Sequence, residues 1–178
     1  DPTAPGAGGV TTNEDTAISG NVLTNATDVD GDTLSVTQFV VNNTTYTAGS
    51  TATIAGVGTL VIGSTGGYTF TPVLNYTGVV PVATYTVSDG NGGTDTIVVN
   101  VTVAALNDAP LVPVNAGLSV AEGGSAVIGT SALSATDVDD SGAGLTFTVV
   151  SPTENGQLEL ASDPGVAISS FTQADVAA

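Results

Sequence analysis

Ile97-Val98-Val99-Asn100-Val101-Thr102-Val103 is the stretch that decides the fold. Side chains alternate faces along an extended strand, so Ile97, Val99, Val101 and Val103 share one face while Thr96, Asn100 and Thr102 share the other. Just before it, Ala83-Thr84-Tyr85-Thr86-Val87 alternates in the same way, and Asp89-Gly90-Asn91-Gly92-Gly93 between the two reads as a hairpin turn. Thr33 to Phe39, with Leu34 and Val36 on alternate positions, and Tyr68-Thr69-Phe70, with its aromatic rings inward, add further strands. About seven strands in some 100 residues, separated by such turns, predict an all-β, Greek-key β-sandwich.

The composition agrees. Thr (29) and Val (26) make up nearly a third of the 178 residues, and Gly adds 23. β-Branched residues suit pleated, half-buried surfaces, and Gly, Asn and Asp suit turns. There are 17 Asp plus Glu and no Lys, Arg, His, Cys, Met or Trp, for a formal charge of −17. Absent imidazole and thiol remove His- or Cys-based catalysis and zinc or iron–sulfur ligation. Absent Lys removes Schiff-base chemistry and the P-loop. With no basic residue, phosphate backbones and anionic membranes are repelled, so nucleic acid is excluded as a partner. No apolar run approaches the ~20 residues that cross a bilayer, so membrane insertion is not expected.

The chain repeats itself. Val10-Thr11-Thr12-Asn13-Glu14-Asp15 aligns with Val120-Ala121-Glu122-Gly123-Gly124, placing Glu14 and Glu122 108 positions apart. Thr27-Asp28-Val29-Asp30 aligns with Thr136-Asp137-Val138-Asp139 at 109, and Leu34 with Leu145 at 111. Two copies of one module follow. The first occupies residues 1–106, the turn-forming Asn107-Asp108-Ala109-Pro110 is the linker, and the second occupies residues 111–178. The second has strands at Leu145-Phe147-Val149 and Leu158-Leu160 but no counterpart of the final hairpin, since 68 residues follow Pro110. A chain cut short explains this; so does a module whose missing strands come from another subunit by β-addition.

The acids are clustered. Asp28-Val29-Asp30-Gly31-Asp32 and Asp137-Val138-Asp139-Asp140 hold six of the seventeen. Carboxylates held close without cations repel, and Ca²⁺ resolves this by taking six to eight oxygen ligands in irregular geometry. An EF-hand is excluded: Gly31 is the fourth residue of the loop, and the twelfth is Phe39, where a bidentate Glu belongs. A glycosidase pair would need a substrate cleft with an aromatic platform, and aromatics are sparse. A single Asp-x-Asp is commonly a solvated turn. Recurrence at matching repeat positions points to metal. Sequons at Asn25, Asn42, Asn43, Asn75 and Asn100 are expected by chance in so Thr-rich a chain.

The order Glu14, Asp28-Val29-Asp30, Ser88-Asp89-Gly90 and Asn107-Asp108-Ala109-Pro110 resembles the cadherin-like, VCBS-type tandem repeats of large bacterial surface or secreted (type I secreted, RTX-type) adhesins. The second copy, with Val120-Ala121-Glu122-Gly123-Gly124 and Thr136-Asp137-Val138-Asp139-Asp140, resembles the related proteoglycan-type cadherin-like repeat. The resemblance implies a cadherin/immunoglobulin-like sandwich with Ca²⁺ where consecutive modules meet. Carried over, Glu14, Asn107, Asp108, Asp137 and Asp139, with Asp140 beside them, would serve the junction between the two copies. Asp28, Asp30 and Asp32 would serve a junction with a preceding module, and Glu122 one with a following module. Asp89 and Asp95 would ligate or merely cap a loop. Leu74-Asn75-Tyr76-Thr77-Gly78 departs from the family, which carries an acidic motif there; one or two ions per junction are expected.

The expected function is that of an extracellular or cell-surface structural repeat, rigidified by Ca²⁺, that spaces or projects adhesive domains. Its expected partners are neighbouring repeats of the same chain. One alternative is a filament subunit that forms a homopolymer by β-strand addition; another is a glycan- or surface-binding module. An enzyme is not expected.

Overall fold

The computed structural model describes every residue except Pro5, Gly6 and Pro152, together with all side chains but those and that of Ala7. The chain falls into two compact units, Asp1–Leu106 and Asn107–Ala178.

The first unit is a two-sheet sandwich. Its strands are β1 (Pro2–Thr3), β2 (Ala7–Asn13), β3 (Ile18–Asn21), β4 (Thr27–Asp28), β5 (Ser35–Val41), β6 (Thr44–Thr47), β7 (Thr51–Ile54), β8 (Gly58–Ile62), β9 (Gly67–Pro72), β10 (Gly78–Val79), β11 (Ala83–Ser88) and β12 (Thr94–Ala104). One sheet runs β10-β12-β11-β5-β6, with β2 added parallel to β12; the other runs β3-β9-β8-β7; β1 and β4 form a short ribbon. Pro81 lacks an N–H and interrupts what would be one strand, so β10 and β11 pair separately with β12. Asn42 and Asn43, with φ of 49° and 60°, make the two-residue turn joining β5 to β6. Both central residues of such a turn need positive φ, which Asn tolerates.

The core confirms the inward faces read from the sequence. Val99, Val101 and Val103 are buried, as are Tyr68, Phe70 and Tyr85, and Ile97 packs against them half-buried. The Tyr85 hydroxyl is fully buried and donates to the Val22 carbonyl (3.1 Å), which removes the cost of desolvating it. β5 departs from simple alternation. Its strand starts at Ser35, and both Val36 and Phe39 face inward because the register with β11 shifts between Val36 and Gln38. Thr37 is the extra residue of this β-bulge, and such a residue re-aims every side chain after it.

The second unit is thinner. β13 (Leu111–Asn115) pairs with β14 (Leu133–Thr136), and β15 (Thr146–Thr148) pairs with β16 (Ser170–Thr172), where Phe147 and Phe171 stack at 5.1 Å. Leu158–Leu160 does not form the expected strand; only an isolated bridge joins Glu159 to Ala167. A four-residue helix, α1 (Gln173–Val176), was not expected. Thr172 caps it, reciprocally bonded with Asp175, and buried Gln173 accepts the Ala135 amide. Among the described residues the buried apolar side chains here are Ala135, Leu145 and Val176, against eighteen in the first unit, and nothing corresponds to the β11–β12 hairpin.

Candidate metal centre

β4 ends at Asp28, and the chain then turns through Gly31, whose φ of 81° suits a residue without Cβ. Asp28 Oδ1 accepts the amides of Asp30 (2.8 Å) and Asp32 (3.2 Å). Wrapping the loop around this oxygen gathers the three side chains: one carboxylate oxygen from each of Asp28, Asp30 and Asp32 lies within 4.8 Å of the others. Asp28 Oδ2 is buried with no hydrogen-bond partner, and the amino group of Asp1 stands 3.4 Å from it. Burial pushes the Asp28 carboxyl up, but the amides of Asp32 and Asp30 and the amino terminus outweigh it and hold the group below the ordinary carboxylate range. A desolvated carboxylate gathered with two further carboxylates fits a hard, oxygen-seeking cation. The set offers no nitrogen or sulfur ligand.

The second unit repeats the turn. Asp137 Oδ1 accepts the amides of Asp139 (2.8 Å) and Asp140 (3.1 Å), and β13 pairs Leu111 with Thr136 as β1 pairs Thr3 with Thr27. Here Asp139 Oδ2 accepts the amide of Asp108 (2.7 Å), and the Asn107 amide group donates to the Asp108 carbonyl (2.6 Å). The described residues of this unit hold no comparable group of three carboxylates.

These turns and sheets are those of a recognised family. A model of the bacterial Ig domain matches residues 1–102. The chain belongs to the bacterial Ig domain family. A cadherin-like model matches residues 110–178, in keeping with the resemblance drawn from the second copy. Among the similar proteins, extracellular matrix protein 3 of Lytechinus variegatus is 32% identical over 107 residues, covering 52% of this chain and 3% of that protein. Chondroitin sulfate proteoglycan 4 of Homo sapiens is 40% identical over 77 residues, covering 43% and 3%. Extracellular matrix organizing protein FRAS1 of Mus musculus is 43% identical over 68 residues, covering 38% and 2%. The chain thus spans a few hundredths of the length of these relatives.

Within the bacterial Ig unit the other acidic candidates are engaged by backbone amides. Glu14 is 3% exposed; its amide donates to the Ala104 carbonyl (2.9 Å), and its Oε1 accepts the Leu106 amide (2.7 Å). Asp89 accepts the amides of Asn91 (2.8 Å) and Gly93 (2.9 Å) and so closes the β11–β12 turn. Asp95 accepts the amides of Ala4 (3.3 Å) and Thr96 (2.7 Å). Asp15, not singled out from the sequence, accepts the Asn75 amide (2.8 Å). In the cadherin-like unit, Glu122 is exposed.

Proposed function

We propose that the chain is a non-enzymatic, extracellular structural repeat of a bacterial surface or secreted adhesin, stiffened by Ca²⁺. The observation that carries this is the convergence of the Asp28, Asp30 and Asp32 carboxylates, with Asp28 buried and only lightly compensated by the Asp1 amino group 3.4 Å from its Oδ2, in a chain with no basic side chain. Asp28, Asp30 and Asp32 hold an ion in the bacterial Ig unit. Asn107, Asp108, Asp137, Asp139 and Asp140 supply the oxygens in the cadherin-like unit, while Glu14, Asp89 and Glu122 contribute only where an ion can share or displace their present partners. The extracellular setting is supported by the matrix and proteoglycan relatives and by the millimolar calcium outside cells that weak oxygen sites require. Ions that bind the folded units and not the unfolded chain stabilise them, and neutralised loops let successive modules stand in a row. Calcium titration calorimetry on the full chain, paired with small-angle scattering in calcium and in chelator, tests the reading. Heat of binding with a longer, stiffer particle supports it; no heat and identical scattering curves refute it.

A second reading has its own observation. Residues 116–132 of the cadherin-like unit contain no strand, and Leu118, Val120 and Val127 are 50%, 49% and 80% exposed. A strand supplied by a neighbouring subunit would cover them and build a filament. Sedimentation across a concentration series tests it: a monomer at every concentration ends the filament reading.

A further inference from the structure

β2 and β12, the first long strand and the last strand of the bacterial Ig unit, lie side by side and parallel from Ala7 beside Val99 to Asn13 beside Ala104, with a register shift at Gly8 and continuous pairing from Gly9 beside Asn100 onward. The chain enters β2 at one end of this pair and leaves β12 at the other. Tension along the chain therefore drags the two strands past each other lengthwise. It loads their cross-links together in shear rather than peeling them one by one. The bonds nearest the exit of β12 feel a pull from the second unit first.

At that exit sits Glu14. Its amide donates to the Ala104 carbonyl (2.9 Å), and its carboxylate reaches past the end of the pair to accept the Leu106 amide (2.7 Å). The turn that presents it is built to hold still. The Thr12 hydroxyl donates to the Thr16 carbonyl (2.8 Å), Asp15 takes a left-handed φ of 56°, and the Asp15 carboxylate is tied to the Asn75 amide (2.8 Å). Glu14 itself is 3% exposed, so water does not compete freely for its hydrogen bond, and charge-assisted bonds are the stronger kind. The strand ladder stops at Ala104, and the Glu14 carboxylate adds one further, charged cross-link two residues on.

We propose that Glu14 is a mechanical latch: a positioning residue that seals the parallel β2–β12 pair at the exit of β12 and sets the force at which the unit opens. This role acts through the Leu106 amide and needs no ion. It rests on the reading of the chain as a load-carrying repeat, but it is tested in chelator, where failure of the calcium reading has no bearing on it.

The test is force spectroscopy on the full chain, held at its two ends through added terminal cysteines, with wild type, Glu14→Gln, Glu14→Ala and Leu106→Pro compared in chelator and in calcium. Gln keeps a carbonyl oxygen for the Leu106 amide, Ala removes the acceptor, and Pro removes the donor while changing a side chain that is 55% exposed. In chelator, Glu14→Ala and Leu106→Pro unfold about 10- to 100-fold faster at a given load, the scale of a lost hydrogen bond to a charged group. Glu14→Gln falls closer to wild type, and the double variant Glu14→Ala/Leu106→Pro is no worse than either single. Should Glu14→Ala not fold, the comparison of Leu106→Pro and Glu14→Gln with wild type carries the test alone. Unfolding forces that match wild type in chelator for both Leu106→Pro and the Glu14 variants, with any loss confined to calcium, overturn the latch and make Glu14 a ligand instead.

Discussion

Replacing Asp28 by Asn is expected to cost little in chelator and far more in calcium. In chelator, Asp28 Oδ1 is satisfied by the amides of Asp30 and Asp32, whereas Oδ2 is buried without a hydrogen bond. Asn keeps the first oxygen as an acceptor and exchanges the second for an NH₂, which donates but cannot accept. One negative charge also leaves a crowded loop. The charged Asp28 nonetheless favours the folded chain without an ion, since its carboxyl is held below the ordinary range, so the variant is expected to melt modestly below the wild-type temperature in chelator. In calcium the gap widens. An ion at a hundred times its dissociation constant stabilises the wild-type unit by about 2.7 kcal/mol; a tenfold weaker site in the variant keeps about 1.4 kcal/mol of that. For a unit of about 100 residues, 1 kcal/mol moves the melting temperature by about 4–8 °C, so wild type gains roughly 10–20 °C from calcium and the variant about half. Differential scanning calorimetry of both proteins, in chelator and in calcium with magnesium as control, measures all four values. A variant that loses stability equally in both buffers refutes the argument, because that oxygen would then be needed for folding rather than for an ion.

Two glycines with nearly the same φ separate strain from crowding. Gly66→Ala (φ 83°) places a Cβ 2.5 Å from Asn21 Oδ1 and 2.7 Å from Leu23 Cγ, and costs about 2–4 kcal/mol, while Gly31→Ala (φ 81°) meets open space and costs about 1 kcal/mol; urea denaturation ranks them, and equal losses contradict the geometry. Amide exchange is expected to be slow in β11 and β12 and fast across residues 116–132, since three buried apolar side chains cannot offset the ordering of the whole second unit; comparable protection in both units goes against this. Acid is expected to destabilise. Asp28, Glu159 and Asp175 are each held below their ordinary values of 3.8, 4.5 and 3.8, so their contributions are complete above those values and vanish as pH falls through the lower folded-state ones. A chelator melting series from pH 6 to pH 2 should fall below about pH 4; a rise there would mean that relief of repulsion dominates.

The sandwich was legible wherever a strand keeps strict alternation and a partner. Ile97–Val103 satisfies both, so its inward face could be read residue by residue. β5 was harder, because the bulge at Thr37 lies in the pairing with β11 and leaves no mark in β5 itself. Leu158–Leu160 alternates correctly but has a single bridged neighbour, and alternation without a partner is not a strand. The small helix had a signal, Thr172-Gln173-Ala174-Asp175, the pattern of a capping box, although four residues are too few for helical periodicity. Four of the five sequon asparagines sit at positive φ (Asn25, Asn42, Asn43 and Asn75), so geometry as well as chance accounts for them. At the candidate centre, the clusters and their recurrence were visible. Which acids remain free was not, since that depends on backbone amides brought from up to 92 positions away, as Leu106 is brought to Glu14.

That last point gives the missing basic residues a sharper meaning. A carboxylate in a folded chain needs a counterpart, and without Lys, Arg or His the internal supply is the amide N–H. The bacterial Ig unit spends amides widely: on Asp28 Oδ1, Asp89, Asp95, Asp15 and Glu14. Each of those acids thereby does structural work: closing a turn, holding a neighbouring loop or tying an exit strand. Amides end at Asp28 Oδ2, which is buried without an amide partner, faces the Asp1 amino group (3.4 Å) and belongs to a loop where two more carboxylates gather. An amide carries a fraction of a charge and cannot balance three carboxylates at once; a divalent ion can. The seventeen acids are thus not one reservoir of calcium ligands. Glu14, Asp15, Asp89 and Asp95 are satisfied from within, whereas Asp28, Asp30 and Asp32 gather where the proposed ion of the bacterial Ig unit would sit.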